Sequence, residues 1–166
     1  VIARFAVINC SSAEPSPPKI HYSALDNLFI QKYQTFARTY KVGKPYKVDG
    51  QWFFPRHQPS YNEQGVASWY GPNVGVLTAN GELFDQEDIA AAHPTLPLPS
   101  IVEVTNLDNG RSLVVRVNDR GPFRHDRVID LTKGAARKIG MLQSGVANVQ
   151  VKLLQEETLA YLKYEH

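Results

Sequence analysis

The sequence predicts a mainly β protein that closes into a small barrel. From Gly65 onward, short apolar runs alternate with tight turns, and a single short helical pattern interrupts them. Many short strands with one helix favour a barrel, whereas a regular alternation of strands and helices would favour a parallel sheet. Two of the apolar runs are separated only by a turn, which indicates antiparallel neighbours.

Four strands are predicted from the spacing of apolar residues. The first covers residues 66–70 and ends at a Gly-Pro pair. Residues 101–105 and 113–117 flank the turn 108–110, so they are predicted to form a β-hairpin. In residues 147–153 apolar side chains alternate with more polar ones, which is the period of a half-buried strand.

One short helix is predicted within this β region, over residues 132–139. Thr132 is a good N-cap, and Gly140 lies where the end of a helix favours glycine. The predicted apolar face of this helix consists of Leu131, Ala135, Ala136 and Ile139.

An introductory segment, residues 23–61, precedes the barrel and is predicted to pack on its outside. A second short helix is expected there, because apolar residues recur at helical spacing. These residues are Leu25, Leu28, Phe29, Tyr33, Phe36, Ala37 and Tyr40. Three aromatic residues after this helix are predicted to dock the segment: Trp52, Phe53 and Phe54.

Composition limits the classes of protein to which this chain can belong. The chain has 166 residues, of which 43% are hydrophobic and 20% are charged, so it suits one compact domain with some additional chain. The net charge of +2 is no nucleic-acid signature, although it is compatible with an anionic partner. The five histidines show no metal-ligand spacing, and no Gly-rich phosphate loop is present. We therefore predict no metal and no cofactor.

The first 22 residues have the order of a processed lipoprotein terminus. A mostly apolar run ends at Cys10, the only cysteine, and a Pro- and Ser-rich stretch follows it. One interpretation is a signal-peptide remnant, an acylated cysteine and a flexible tether. The other is a disordered terminus with an incidental thiol.

Three polar positions at turns beside strands are candidates for chemistry. Glu82 follows the tight turn Asn80-Gly81, and His93 is held extended by the proline after it. Asp119 emerges at the end of the predicted strand 113–117. From spacing alone, each also has a structural interpretation: a solvated glutamate, a hydrogen-bonded histidine and an aspartate that caps a turn.

A local excess of three positive charges surrounds Asp119 over residues 111–127. Such a patch is suited to an anionic polymer, although a charge run is more often only a solvated face.

Taken together, six ordered motifs resemble the rare lipoprotein A family. The resemblance covers about residues 41–154. The motifs are Gly65-Val66-Ala67-Ser68-Trp69-Tyr70-Gly71, Thr78-Ala79-Asn80-Gly81-Glu82-Leu83-Phe84-Asp85, Ala91-Ala92-His93-Pro94-Thr95-Leu96-Pro97, Val104-Thr105-Asn106-Leu107, Val117-Asn118-Asp119-Arg120-Gly121-Pro122-Phe123 and Ile129-Asp130-Leu131.

This resemblance implies a six-stranded double-psi β-barrel over residues 62–154, with one or two short helices, an N-terminal extension and a C-terminal tail, residues 155–166. It also implies that the protein is an endolytic peptidoglycan lytic transglycosylase. We further expect a monomer that is anchored in the periplasm through Cys10 and has division-site proteins as candidate partners. Matching catalytic positions are Glu82, His93 and Asp119, with His93 expected to hydrogen-bond a carboxyl. Expected substrate-binding residues are Trp69, Tyr70, Asn80, Asn118 and Arg120. For Trp69 and Tyr70, a place in the barrel core is an equally good interpretation. For Arg120, a structural role is the alternative.

Two alternatives to an enzyme stay open at this point. The same barrel, as in expansin-like proteins, grips glycan without cutting it. A barrel of this kind also serves as a docking module for a division or envelope partner. Intact Glu82, His93 and Asp119 favour the enzyme.

Overall fold

The computed structural model describes residues 15–19, 21–35, 40–71 and 75–164. Their elements follow in the order α1 (Ala24–Thr35), β1 (Tyr46–Val48), β2 (Gln51–Phe53), β3 (Asn62–Tyr70), β4 (Ala90–Ala92), β5 (Ser100–Asn106), β6 (Ser112–Asp119), β7 (Ile129–Thr132), α2 (Lys133–Lys138), β8 (Val146–Leu153) and α3 (Gln155–Tyr164). Cys10 and two residues of the predicted first helix, Phe36 and Ala37, lie outside the described residues.

Six strands close into a barrel in the order β3-β7-β4-β6-β5-β8. Two of the neighbouring pairs are parallel, β3 with β7 and β4 with β6, and the remaining pairs are antiparallel. Closure satisfies the backbone groups that an open sheet would leave at its edges. The predicted barrel of six strands is confirmed, and it includes two short strands, β4 and β7, that the apolar pattern did not predict.

The predicted hairpin and the predicted last strand are both confirmed. β5 and β6 pair antiparallel through the turn before Gly110, whose φ of 76° suits glycine. β8 alternates exposed and buried residues along most of its length, as its sequence pattern predicts. Its buried side chains join a core of aliphatic residues that includes Val102, Val104, Val115, Val117, Ile129, Leu131, Val149 and Val151.

The predicted helix after Thr132 is confirmed as α2. The Thr132 side chain accepts a hydrogen bond from the Ala135 backbone N–H, which is the N-cap interaction. Leu131 was wrongly assigned to the face of this helix, because it lies on β7 and fills the core from a strand. A short strand that runs directly into a helix has too few residues to show its own period.

The N-terminal segment packs on the outside of the barrel. Lys41 pairs with Leu98, and the Tyr46 hydroxyl donates to the Pro94 carbonyl at 2.7 Å. In α1 the predicted apolar face is partly wrong, since Leu25 and Leu28 are exposed and Ile30 is buried. The segment expected as a tail contains the helix α3, so the described residues hold three helices rather than one or two. Among the described residues, no helix is long and apolar enough to span a membrane.

Candidate active site

The site is built where β6 ends, at an irregularity in its pairing with β4. Ala91 pairs with Val117, but Ala92 pairs with Asp119, so Asn118 is the extra residue of a β-bulge. Bulges re-aim side chains and occur often beside active sites. Here the bulge turns two consecutive polar side chains, those of Asn118 and Asp119, to different partners.

Asp119 is held by backbone amides. Its Oδ1 accepts hydrogen bonds from the N–H groups of Ala79 and Arg120, each at 2.8 Å. Its own carbonyl accepts from the His93 N–H at 3.0 Å. Two backbone N–H groups therefore orient the carboxyl without another charged group, and the bond from His93 fixes the backbone that carries it.

Glu82 lies on a tight turn that is attached to the same end of β6. Gly81 has a φ of 84°, the Glu82 N–H donates to Thr78 Oγ1, and the Asn80 N–H donates to the Asn118 carbonyl. The turn over residues 78–82 thus brings Glu82 beside Asn118. The predicted turn at Asn80-Gly81 is confirmed in its local geometry.

The Glu82 carboxylate is fully engaged by neighbours. Asn80 Nδ2 donates to Oε1 at 3.1 Å, and Asn118 Nδ2 donates to Oε2 at 2.9 Å. Arg116 Nη2 lies 2.7 Å from Oε2, in an ion pair whose side chains are 25% and 30% exposed. Asn80 and Asn118, predicted to bind substrate, both donate to this carboxylate, and their contact with substrate stays a prediction.

His93 does not bind either carboxyl, and the predicted hydrogen bond is wrong. Its ring is buried, and Nδ1 accepts from the backbone N–H groups of Thr95 and Leu96 at 3.1 and 3.0 Å. The neutral ring then carries its proton on Nε2, which lies 2.8 Å from the Tyr61 hydroxyl. Burial, with a smaller contribution from nearby arginines, lowers the pKa of His93 to about 3. Only the backbone of His93 touches Asp119.

Arg120 was expected either to bind substrate or to support the structure, and its contacts are structural. Its guanidinium donates to the carbonyls of His93 and Leu96, and to that of Val42 at 2.9 Å. Burial lowers its pKa, although Arg is always charged in practice. Three of its five N–H donors bind backbone carbonyls, so Arg120 joins the N-terminal segment to the loop after β4.

The two aromatic residues that end β3 differ in surroundings. Trp69 is partly buried and packs against the barrel core, which is the structural interpretation. Tyr70 lines a cavity, and its buried hydroxyl has no hydrogen-bond partner among the described residues. Burial and the nearby carboxyls of Asp119 and Asp130 raise the pKa of Tyr70.

This cavity, of about 190 Å³, is the opening beside Asp119. Its polar lining consists of Tyr70, Asp119, Arg120, Arg127 and Asp130. Arg127 and Asp130 were missed as site residues. The signal was present, because Asp130 stands alone between two apolar residues in the sequence and Arg127 precedes it by three.

A second cavity, of about 370 Å³, adjoins the first and shares Arg127 with it. Arg56, Tyr61, Glu63 and His93 also line it. The predicted basic patch over residues 111–127 is mostly neutralised, since Arg116, Arg124 and Arg127 pair with acidic side chains. Within the residues that the structure describes, no three His, Cys, Asp or Glu side chains come together as metal ligands.

Comparison with known proteins identifies this architecture. Residues 62–151, more than half of the chain, match the double-psi β-barrel family described as lytic transglycolase. The protein from Pseudomonas aeruginosa strain UCBPP-PA14 named "Endolytic peptidoglycan transglycosylase RlpA" is 54% identical over 110 residues, which covers 65% of this chain and 32% of that protein. A protein of the same name from Rickettsia felis is 38% identical over 164 residues and covers 96% of this chain and 72% of that protein.

A third relative of that name, from Vibrio cholerae, is 50% identical over 113 residues, which covers 68% of this chain and 41% of that protein. The chain therefore spans about a third of the length of the Pseudomonas relative and nearly three quarters of the Rickettsia relative. On the family match and the Rickettsia relative together, the chain belongs to the rare lipoprotein A family of lytic transglycolase double-psi β-barrels.

Proposed function

We propose that the barrel cuts peptidoglycan glycan strands internally, between N-acetylmuramic acid and N-acetylglucosamine, and leaves a 1,6-anhydro ring on the muramic acid. The observation that carries this proposal is the Asp119 carboxyl, fixed by backbone amides on the wall of an open cavity. The names of the relatives, endolytic peptidoglycan transglycosylases, supply the substrate class.

The proposed reaction needs a proton donor and a proton acceptor but no added water. The bond between C1 of muramic acid and the glycosidic oxygen breaks, and that oxygen takes a proton. The C6 hydroxyl of the same sugar attacks C1, closes the ring and releases its proton to a carboxylate. One carboxyl is sufficient in principle, because it becomes a base once it has given up its proton. Both hydrogen bonds that described residues donate to the Asp119 carboxyl reach Oδ1, so Oδ2 is open to substrate.

Glu82 and His93 are positioning residues in this proposal. Glu82 fixes Asn118 and, through the turn over residues 78–82, the Ala79 amide that binds Asp119. His93 fixes the loop whose carbonyls bind Arg120. The glycan is proposed to lie across both cavities, where Arg56 offers positive charge to its carboxylates.

Attachment to a membrane facing the periplasm, through an acylated Cys10, is also part of the proposal. Its support is the order of the apolar run, the single cysteine and the Pro- and Ser-rich stretch. If this is correct, Cys10→Ala in the protein expressed with its native leader moves it from the membrane fraction to the soluble envelope fraction. An unchanged distribution contradicts the tether.

Mass spectrometry of purified peptidoglycan digested by the pure protein tests the activity. We expect glycan fragments with 1,6-anhydromuramic acid ends. Asp119→Asn is expected to abolish cleavage while the fold is retained, because an amide cannot accept and return the proton. Asp49→Asn, the same change on the exposed turn between β1 and β2, is the control. Reducing ends would mean that water is the nucleophile, and bound but intact glycan would favour a binding module.

A further inference from the structure

The strand register places a second carboxyl beside Asp119. Ala92 of β4 pairs with Asp119 of β6 on one side and with Asp130 of β7 on the other. Asp130 in turn pairs with Ser68 of β3. Residues paired across neighbouring strands point to the same face of a sheet. Asp119, Ala92, Asp130 and Ser68 therefore form one row on the barrel wall.

Ala92 leaves room between the two carboxyls. Two strand spacings separate the Cα atoms of Asp119 and Asp130 by about 10 Å, and the small side chain between them does not fill that gap. The cavity of about 190 Å³ is lined by all three residues. Side chains that extend over the cavity from Cα atoms about 10 Å apart can place their carboxyls within the roughly 5 to 10 Å that flanks a scissile glycosidic bond.

We propose that Asp130 is a second carboxyl of the active site, which donates the proton to the leaving sugar oxygen and faces Asp119 across the cavity. The proposal rests on the proposed function and revises one role in it. Asp119 becomes the acceptor of the C6 hydroxyl proton rather than both donor and acceptor.

The surroundings of Asp130 suit a proton donor. Its side chain is 13% exposed, its Oδ1 accepts from Ser68 Oγ at 2.7 Å, and its Oδ2 lies 3.5 Å from Arg127 Nη2. The titratable and charged groups around it are Asp119 on β6, Arg120 directly after β6, Tyr70 on β3, and Arg124 and Arg127 in the loop before β7. From β4 only Ala92 lies beside it.

Burial raises the pKa of Asp130, whereas the Ser68 hydroxyl and the charges of Arg127 and Arg124 lower it. The effect of burial is the largest, so the pKa lies above the ordinary aspartate value. The arrangement of Asp119 is different. Two amide N–H groups donate to its Oδ1, so this carboxyl is held in place as a hydrogen-bond acceptor.

The proposed step conserves atoms and protons. Protonated Asp130 gives its proton to the glycosidic oxygen as the C1–O bond breaks. The C6 oxygen forms a bond to C1 and loses its proton to ionised Asp119. The proton then returns from Asp119 to Asp130 through the solvent of the open cavity. No water, oxidant or cofactor is consumed.

Asp130→Asn, with Asp49→Asn as the control, tests the role on peptidoglycan. We expect kcat to fall by at least about 100-fold, the usual contribution of a general acid, while KM changes little. The wild-type rate should also fall as pH rises through the pKa of Asp130. Rates for Asp130→Asn that match those of the control overturn the proposal.

A stability measurement separates this role from a structural ion pair. A buried aspartate whose pKa is raised in the fold is ionised more easily in the unfolded chain, so at neutral pH it opposes folding. Asp130→Asn should therefore leave Tm unchanged or higher at pH 7. A clear loss of Tm would show that Asp130 only holds Arg127 and would overturn the proposal.

A titration of Asp130, which requires no catalytic activity, distinguishes failure of the Asp130 proposal from failure of the proposed function. Carboxyl carbon NMR of the whole chain labelled in its aspartates, with the Asp130 signal assigned from Asp130→Asn, should give a midpoint above about 3.9. If the wild type cuts no glycan, the proposed function fails, and a raised midpoint still supports Asp130 as the proton-holding carboxyl. An ordinary or lowered midpoint overturns it in either case.

Discussion

The His93 ring is a buried structural base, and this has a consequence for stability. Its Nδ1 accepts hydrogen bonds from two backbone N–H groups, so protonation there would break both bonds at a buried position. The pKa of His93 is about 3 in the fold and about 6.5 in an unfolded chain. Between these values the unfolded chain binds more protons, so stability is lost as pH falls from 6.5 toward 3.

We therefore expect the free energy of unfolding to drop with falling pH more steeply in the wild type than in His93→Asn. The asparagine oxygen replaces Nδ1 as acceptor but does not titrate. The difference in slope should approach about 1.4 kcal/mol per pH unit below pH 6, measured by urea unfolding. His57, whose pKa burial also lowers, is present in both proteins and cancels. Parallel slopes would contradict a neutral His93.

Glu82 should matter through geometry rather than through proton transfer. Glu82→Gln replaces one acceptor oxygen by a donor that faces Asn80, or else Asn118 and Arg116, and it removes the ion pair with Arg116. We expect kcat on peptidoglycan to fall at least about tenfold with KM nearly unchanged. Glu157→Gln, an exposed glutamate on α3, is the control. A rise in KM alone would instead indicate direct contact with the sugar.

Residue identities at the site were more predictable than residue partners. Motif order was enough to select Glu82, His93 and Asp119, which lie on or beside the bulged end of β6. Motif order did not show that the His93 ring binds Tyr61 or that the Arg120 guanidinium donates to backbone carbonyls. Partners depend on side-chain direction, and a one-residue bulge that no local pattern encodes decides that direction at Asp119.

At the scale of elements, long strands were predicted and short ones were not. β5, β6 and β8 have seven or eight residues and show an apolar period or a hairpin turn. β4 and β7 have three and four residues, too few to show a period of two. Their pairing depends on barrel closure, which is a long-range property. Ala92 and Asp130 lie on these two strands, so they could not be placed beside Asp119 from the sequence pattern.

Ala92 on β4 offers a way to test the row of paired residues without removing a carboxyl. Ala92→Val adds two methyl groups to a position that lines the cavity between Asp119 and Asp130. The cavity has room for them, so we expect the fold to persist and kcat/KM to fall at least about tenfold because the sugar is excluded. Ala92→Ser, which adds a single oxygen, is the control and should retain most of the rate. Full activity in Ala92→Val would contradict a substrate position between the carboxyls.

At the scale of the whole molecule, a small apolar cluster joins α3 to the N-terminal segment, and hydrogen bonds join α3 to the barrel. Leu159 and Leu162 of α3 pack with Tyr40, and Phe29 of α1 covers them. The Ile101 N–H donates to Thr158 Oγ1 at 2.9 Å, which binds α3 to the start of β5. Arg116 donates to the Tyr161 hydroxyl at 2.9 Å, so α3 also touches the residue that pairs with Glu82.

Leu162→Ala should therefore destabilise the entire domain rather than only its last helix. Leu162 is fully buried, and truncation of such a leucine costs about 2 to 5 kcal/mol. If α3, the N-terminal segment and the barrel unfold together, the variant melts in a single transition at a lower midpoint. Tyr164→Ala, an exposed position two residues further along the same helix, is the control and should melt with the wild type. A first transition that removes only helix signal, followed by barrel unfolding at the wild-type midpoint, would show that α3 is an independent attachment.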